Sequence, residues 1–75
     1  MNERIIIDSN ICHGKPVIKG TRVLVSNIIA DLAEGLSNTE VINNYPNITS
    51  EDIQAALEFC SVLANFETEK VNATA

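Results

Sequence analysis

Residues 25–40, VSNIIADLAEGLSNTE, contain the two signals that decide the fold. In the first part, Val25, Ile28, Ile29, Leu32, Ala33 and Leu36 recur at intervals of three and four, which puts them on one stripe of an α-helix. Asn27, Asp31 and Glu34 face away from that stripe. Ser26 or a neighbour is available to cap the start, and Gly35 is placed to end the helix in the left-handed conformation. In the second part, Ser37-Asn38-Thr39-Glu40 is a capping box, the pattern in which a serine hydroxyl and a glutamate three residues on satisfy each other's free backbone donors. Two helices therefore meet across a tight turn, which is the outline of a helix-turn-helix unit.

Downstream, the second helix runs through Asn44 with Val41, Ile42 and Tyr45 inward. It stops before Pro46, which pushes the preceding residue out of helical geometry. Thr49-Ser50-Glu51-Asp52 repeats the start signal, with acids near the positive end of the helix dipole. A third helix then extends to about Asn65. On it, Ile53, Ala56, Leu57, Cys60, Leu63 and Ala64 form one apolar stripe, and Ala55, Phe59, Val62 and Phe66 form another on roughly the opposite side. Two short helices cannot cover both. Either the N-terminal segment packs on the second stripe, or Ala55, Phe59, Val62 and Phe66 form an interface with a second copy or another protein.

Upstream, the chain is rich in β-branched residues and turn formers. Ile5-Ile6-Ile7, Val17-Ile18 and Arg22-Val23-Leu24 are separated by Asn10–Pro16 and by Lys19-Gly20-Thr21, so a small β-hairpin or two or three short strands are expected. The fold class is thus mainly α: a three-helix, helix-turn-helix-like (homeodomain-like or winged-helix-like) domain with a short N-terminal β-hairpin arm. One domain is expected over residues 1–66, and the aperiodic, polar residues 67–75 are expected to form a flexible tail.

The chain has 75 residues, of which 45% are hydrophobic and 20% charged. That is a globular composition near the lower size limit for an unaided core, so a homodimer or a partner is expected. The net charge of −5 is unevenly spread. Arg4, Lys15, Lys19 and Arg22 outnumber Glu3 and Asp8 up to Leu24, whereas from Val25 onward Lys70 alone faces eight acids. An acidic body is a poor general binder of nucleic acid but a natural partner for a basic protein surface. The third helix has Glu51, Asp52 and Glu58 and no cation in its first three turns, so major-groove reading is disfavoured. Lys15, Lys19 and Arg22 on the arm are the candidates for contact with DNA or with an acidic protein site.

Chemistry-bearing patterns are sparse. Cys12, His13 and Cys60 match no zinc spacing, and neither cysteine suggests a disulfide framework. His13 lies in a turn without a nucleophile partner. Gly14–Arg22 lacks the order of a phosphate-binding loop, and Pro16 removes a donor from it. No enzyme, cofactor or metal is expected. Neither a secretory leader nor a membrane span is evident, so the expected compartment is the cytoplasm.

The ordered series Gly14-Lys15-Pro16-Val17-Ile18-Lys19-Gly20-Thr21-Arg22-Val23, Ile28-Ile29, Leu32-Ala33-Glu34-Gly35-Leu36-Ser37, Tyr45-Pro46-Asn47-Ile48-Thr49, Asp52-Ile53 and Ala55-Ala56-Leu57 closely resembles a small prokaryotic family, domain of unknown function 433. The likeness spans about Arg4 to Phe66. It implies a compact helix-turn-helix-like domain behind a short β arm. Members are described as VapB-like antitoxins, so it also implies a PIN-like nuclease toxin as partner, inhibited by occlusion of its active site. A DNA-binding transcriptional regulator that uses the basic arm is the alternative expectation.

Overall fold

The computed structural model describes the backbone of residues 2–74 and the side chains of residues 2–66. Two strands and three helices follow in the order β1 (Ile5–Ile6), β2 (Val17–Ile18), α1 (Val25–Ala33), α2 (Asn38–Asn44) and α3 (Ser50–Thr74). A single tight turn at Cys12–Gly14 interrupts the connection between the strands.

The strands pair antiparallel, with Ile5 opposite Ile18 and Ile6 opposite Val17. The Lys19 N–H donates to the Arg4 carbonyl at 2.8 Å, extending the ladder by one rung. On its other side β2 meets the chain again: the Ile18 N–H donates to the Val23 carbonyl at 3.0 Å, and Val17 bridges Leu24. The three apolar stretches expected as short strands therefore lie side by side, with β2 in the middle.

The start of α1 departs from expectation. Its N-cap is Leu24, which offers no side-chain cap, and Ser26 lies inside the helix. Backbone tethering takes the place of a cap, because the Val25 N–H donates to the Pro16 carbonyl at 3.0 Å. The far end follows the sequence signal. The Leu36 N–H reaches the Asp31 carbonyl and the Gly35 N–H reaches the Leu32 carbonyl, a Schellman motif with Gly35 at φ 96°.

Ser37 and Glu40 form the expected capping box in full. The Ser37 N–H donates to Glu40 Oε1 at 2.9 Å, and the Glu40 N–H donates to Ser37 Oγ at 3.2 Å. The Ser37 backbone N–H foremost, and the Ser37 side chain after it, hold the Glu40 carboxyl below its ordinary pKa by hydrogen bonding to its charged form. A second box opens α3. The Thr49 N–H donates to Asp52 Oδ2 at 2.9 Å, and the Asp52 N–H donates to Thr49 Oγ1 at 3.3 Å.

The core lies where α1, α2 and β1 pack on the first half of α3. Ile18, Ile28, Val41 and Ile53 are fully enclosed, joined by Ile5, Val25, Ile48, Ala56 and others. Each isoleucine so buried contributes roughly 1.5–3 kcal/mol relative to exposure.

α3 is longer than its apolar period suggests. The backbone stays helical to Thr74 rather than ending near Asn65. Between Asn65 and Thr74 the chain has neither proline nor glycine, so no residue there terminates a helix. The side chains of residues 67–75, and with them the expectation of a flexible tail, lie outside the described residues.

Candidate functional site: a cationic hairpin and an uncovered helix face

Two surfaces stand out. The first is the hairpin. Its strands are part of the core, the first of the two alternatives left open for the second stripe of α3: Ile5, Ile18 and Val23 sit in the same apolar cluster as α1–α3. The reason is the second stripe of α3, whose first half would be bare without them. Only the turns and the cationic side chains project outward.

Those turns are tightly held. At the first, Cys12, His13 and Gly14 take φ values of 50°, 59° and 79°, a run of left-handed backbone. Such geometry is costly for Cys and His, so the surroundings must impose it. The Cys12 thiol donates weakly to the Arg22 carbonyl at 3.7 Å, which joins the first turn to the second. In the second turn Gly20 has φ 79°, and the Thr21 N–H and hydroxyl both donate to the Ile18 carbonyl, at 3.0 and 2.8 Å. The Thr21 hydroxyl also accepts from the Val23 N–H at 3.0 Å.

Lys15, Lys19 and Arg22 thus leave a stiff scaffold, and all three are exposed. None of them makes an ion pair among the described residues. The cation that is engaged is Arg4, whose Nη1 donates to Asp52 Oδ1 at 3.1 Å. Arg22 borders a shallow cleft with Ile6, Ile11, Thr21 and Asn47, and Lys19 borders another with Glu3, Arg4 and Asp52.

The second surface is on α3. The residues expected as an interface divide. Ala55 is 2% exposed and Phe59 8%, both inside the core, so for them the covering hairpin is the correct reading and the interface expectation is corrected. Val62 and Phe66 are each 63% exposed. The true buried face runs between the two expected stripes and takes Ile53 and Ala56 from one, Ala55 and Phe59 from the other. Past Cys60 neither the short α1 and α2 nor the hairpin reaches the helix, and residues 61–66 are all exposed.

Leu63, which the sequence placed on the core stripe, is consequently 48% exposed and joins Val62 and Phe66. The available signal was length: helices of nine and seven residues span too little of a much longer one. A groove lined by Asn2, Glu58, Phe59, Val62 and Leu63 lies where the covered part of the helix ends. The Asn2 amide donates to Glu58 Oε2 at 3.0 Å across its rim.

Among the described residues no three His, Cys, Asp or Glu side chains gather closely enough to hold a metal ion, and no helix is long and apolar enough to cross a membrane. Three comparisons with known proteins extend the picture. The model of a family described as "Protein of unknown function (DUF433)" matches residues 5–60. The match ends where the core ends, so the cationic hairpin lies within it and Val62, Leu63 and Phe66 lie beyond it. Among solved structures, the crystal structure of a DUF433 member protein from Anabaena variabilis is similar to this chain with a TM-score of 0.77 and 27% sequence identity. The alignment covers 95% of this chain and 70% of that one. No curated protein matches.

Proposed function

The chain belongs to the DUF433 family of proteins of unknown function, and from that premise we propose that it is a partner-binding module: an antitoxin that docks on a PIN-like nuclease toxin and inhibits it. The observation that carries this reading is the hairpin. Lys15, Lys19 and Arg22 stand exposed and unpaired by any carboxylate among the described residues, on turns that their own hydrogen bonds hold rigid. Stiff presentation lowers the ordering cost of binding.

A metal-dependent nuclease of the PIN type gathers carboxylates at its centre, and a projecting guanidinium and ammonium are the groups that match them. The planar guanidinium of Arg22 can engage a carboxylate through two parallel hydrogen bonds, and Lys19 supplies a compact second charge. Inhibition then follows from occupying the carboxylates that hold the metal and from closing the cleft to RNA. The acidic body complements the basic surface such a nuclease offers its substrate, which favours encounter and orientation.

A DNA-binding regulator is the second reading, favoured by the same three cations. The helix that would enter the major groove argues against it. Its first turn exposes Glu51, and Asp52 there is already committed to Thr49 and Arg4. Carboxylates facing phosphates repel.

Co-expression with the protein encoded beside it tests the proposal. The expected result is a stable complex in which the neighbour's nuclease activity is suppressed, and loss of both on charge reversal by Lys19→Glu with Arg22→Glu. A neighbour that stays active and unbound would sink the antitoxin reading. If operator DNA is bound instead, with affinity falling steeply as salt is added, the regulator reading replaces it.

A further inference from the structure

Of the three exposed cations on the hairpin, only Arg22 stands in a recess that holds no acid among the described residues. Its cleft is assembled from four stretches of chain: Ile6 of β1, Ile11 ahead of the first turn, Gly20 and Thr21 in the second, and Asn47 between α2 and α3. Lys19 instead shares its cleft with Arg4, Glu3 and Asp52, so two cations there already face two carboxylates. Lys15 borders neither cleft. Given the hairpin as the partner-binding element, on which this step rests, we infer that the Arg22 cleft is a site for one carboxylate, the acidic side chain of a protein partner.

The cleft holds donors that the fold does not use. Neither the Arg22 guanidinium nor the Asn47 side-chain amide makes a hydrogen bond or ion pair among the described residues. A guanidinium has donors and no acceptor, so an anion is its complement. The backbone beneath both side chains is fixed. The Arg22 carbonyl accepts from the Cys12 thiol at 3.7 Å and the next residue, Val23, is buried, while Asn47 lies in a turn closed by the Ile48 N–H donating to the Tyr45 carbonyl at 3.1 Å. A Cβ built on Gly20 meets nothing within 4 Å, so the chain on that side leaves room for a ligand. Donors held in place in this way reduce the ordering cost of capture.

The lining also selects among anions. Ile6 and Ile11, both half-buried, give the cleft an apolar side that suits the methylene stem of a glutamate or aspartate. The guanidinium then takes both oxygens of the carboxylate through parallel hydrogen bonds. A nucleic acid backbone makes a different demand. Its successive phosphates need a row of uncompensated cations, and here a single one stands on a chain of net charge −5. An isolated carboxylate set in a basic partner surface meets no such repulsion.

NMR titration of the isotope-labelled full chain with a blocked glutamate, N-acetylglutamate N-methylamide, reads the site without any partner. Saturable shifts are expected at the Gly20 and Thr21 amides and at the Asn47 side-chain amide, with none from the matching blocked glutamine. Arg22→Gln is expected to abolish them, with the circular dichroism of the fold unchanged. Arg22→Lys, which keeps the charge and loses the fork, is expected to weaken the affinity by roughly tenfold, the factor of one hydrogen bond to a charged group. Lys19→Gln is expected to change it less than either. Absence of saturation, equal shifts from the glutamine probe, tighter binding of inorganic phosphate at the same signals, or a larger loss in Lys19→Gln than in Arg22→Gln would each overturn the proposal. The two readings fail separately. A neighbouring protein that never binds refutes the antitoxin while the cleft still titrates, and a complex that forms although the cleft does not titrate refutes the carboxylate site alone.

Discussion

Arg4 and Asp52, 48 positions apart, are joined by one hydrogen-bonded ion pair of 3.1 Å between the hairpin and the first turn of α3. Asp52 does two jobs there. One carboxylate oxygen closes the capping box with Thr49, and the other receives the guanidinium. It is the one charged side chain buried among the described residues, and all of its contacts are made by donors.

The two partners should therefore differ in cost. Arg4 is half-exposed, so Arg4→Ala is expected to cost under about 1 kcal/mol, the range of solvent-screened pairs. Asp52→Ala removes a helix cap as well and should cost about 1–2 kcal/mol. Urea denaturation of the single and double variants measures both, and equal costs would show that the cap contributes nothing.

Phe59 and Phe66 belong to one helix face but to different environments. Phe59→Ala should cost about 3–5 kcal/mol as a core cavity, enough to unfold most of a domain this small. Phe66→Ala in dilute solution should stay within roughly 0.5 kcal/mol of the parent. Thermal denaturation that ranks them the other way would place the core elsewhere on α3.

Gly35 ends α1 with φ 96°, and a Cβ added there meets nothing within contact distance. The cost of Gly35→Ala is thus conformational alone, about 1–2 kcal/mol for a left-handed L-residue. A D-alanine at the same position, introduced by chemical synthesis, should restore stability. If it does not, crowding rather than backbone geometry governs the turn.

Glu40 sets a pH dependence. Its carboxyl is held below its ordinary pKa by Ser37, so the folded state binds that proton less readily than the unfolded chain. The capping contribution is complete above the unfolded-state pKa and is lost as pH falls through the lower folded-state value. Carboxylate NMR titration should show Glu40 below an unstructured glutamate, and Ser37→Ala, which removes the hydroxyl but keeps the dominant backbone donor, should raise it only part of the way toward the ordinary value. A complete return to that value would contradict the assigned cause.

Much of the architecture was legible because local rules specify it. The capping residues Ser37 and Glu40, the stop at Gly35 and the break at Pro46 each act on their own backbone within a few residues. A sequence shows such arrangements directly. The start of α1 at Val25 follows the helical period, but its cap is not legible, because Leu24 has no capping side chain. A tether from Val25 to Pro16 replaces it, and that contact depends on strand pairing across the hairpin.

The candidate site was legible in part. Lys15, Lys19 and Arg22 stood out by charge, and the structure leaves all three exposed. That the hairpin beneath them is core rather than arm could not be read locally, since Ile5 and Ile18 are equally suited to either role.

By itself, then, the sequence determined that three helices form, the caps of α2 and α3, the stop at Gly35, the short strands and the separation of basic hairpin from acidic body, because periodicity, capping and net charge act over a turn or two of chain. Tertiary structure alone decided which apolar residues of α3 are core. Ala55 and Phe59 are buried because β1 and α1 arrive over them, whereas Val62, Leu63 and Phe66, equally apolar and on the same arc, stay open because nothing in the described chain is long enough to reach them. Burial is a property of what lies opposite, and no residue's own identity specifies that.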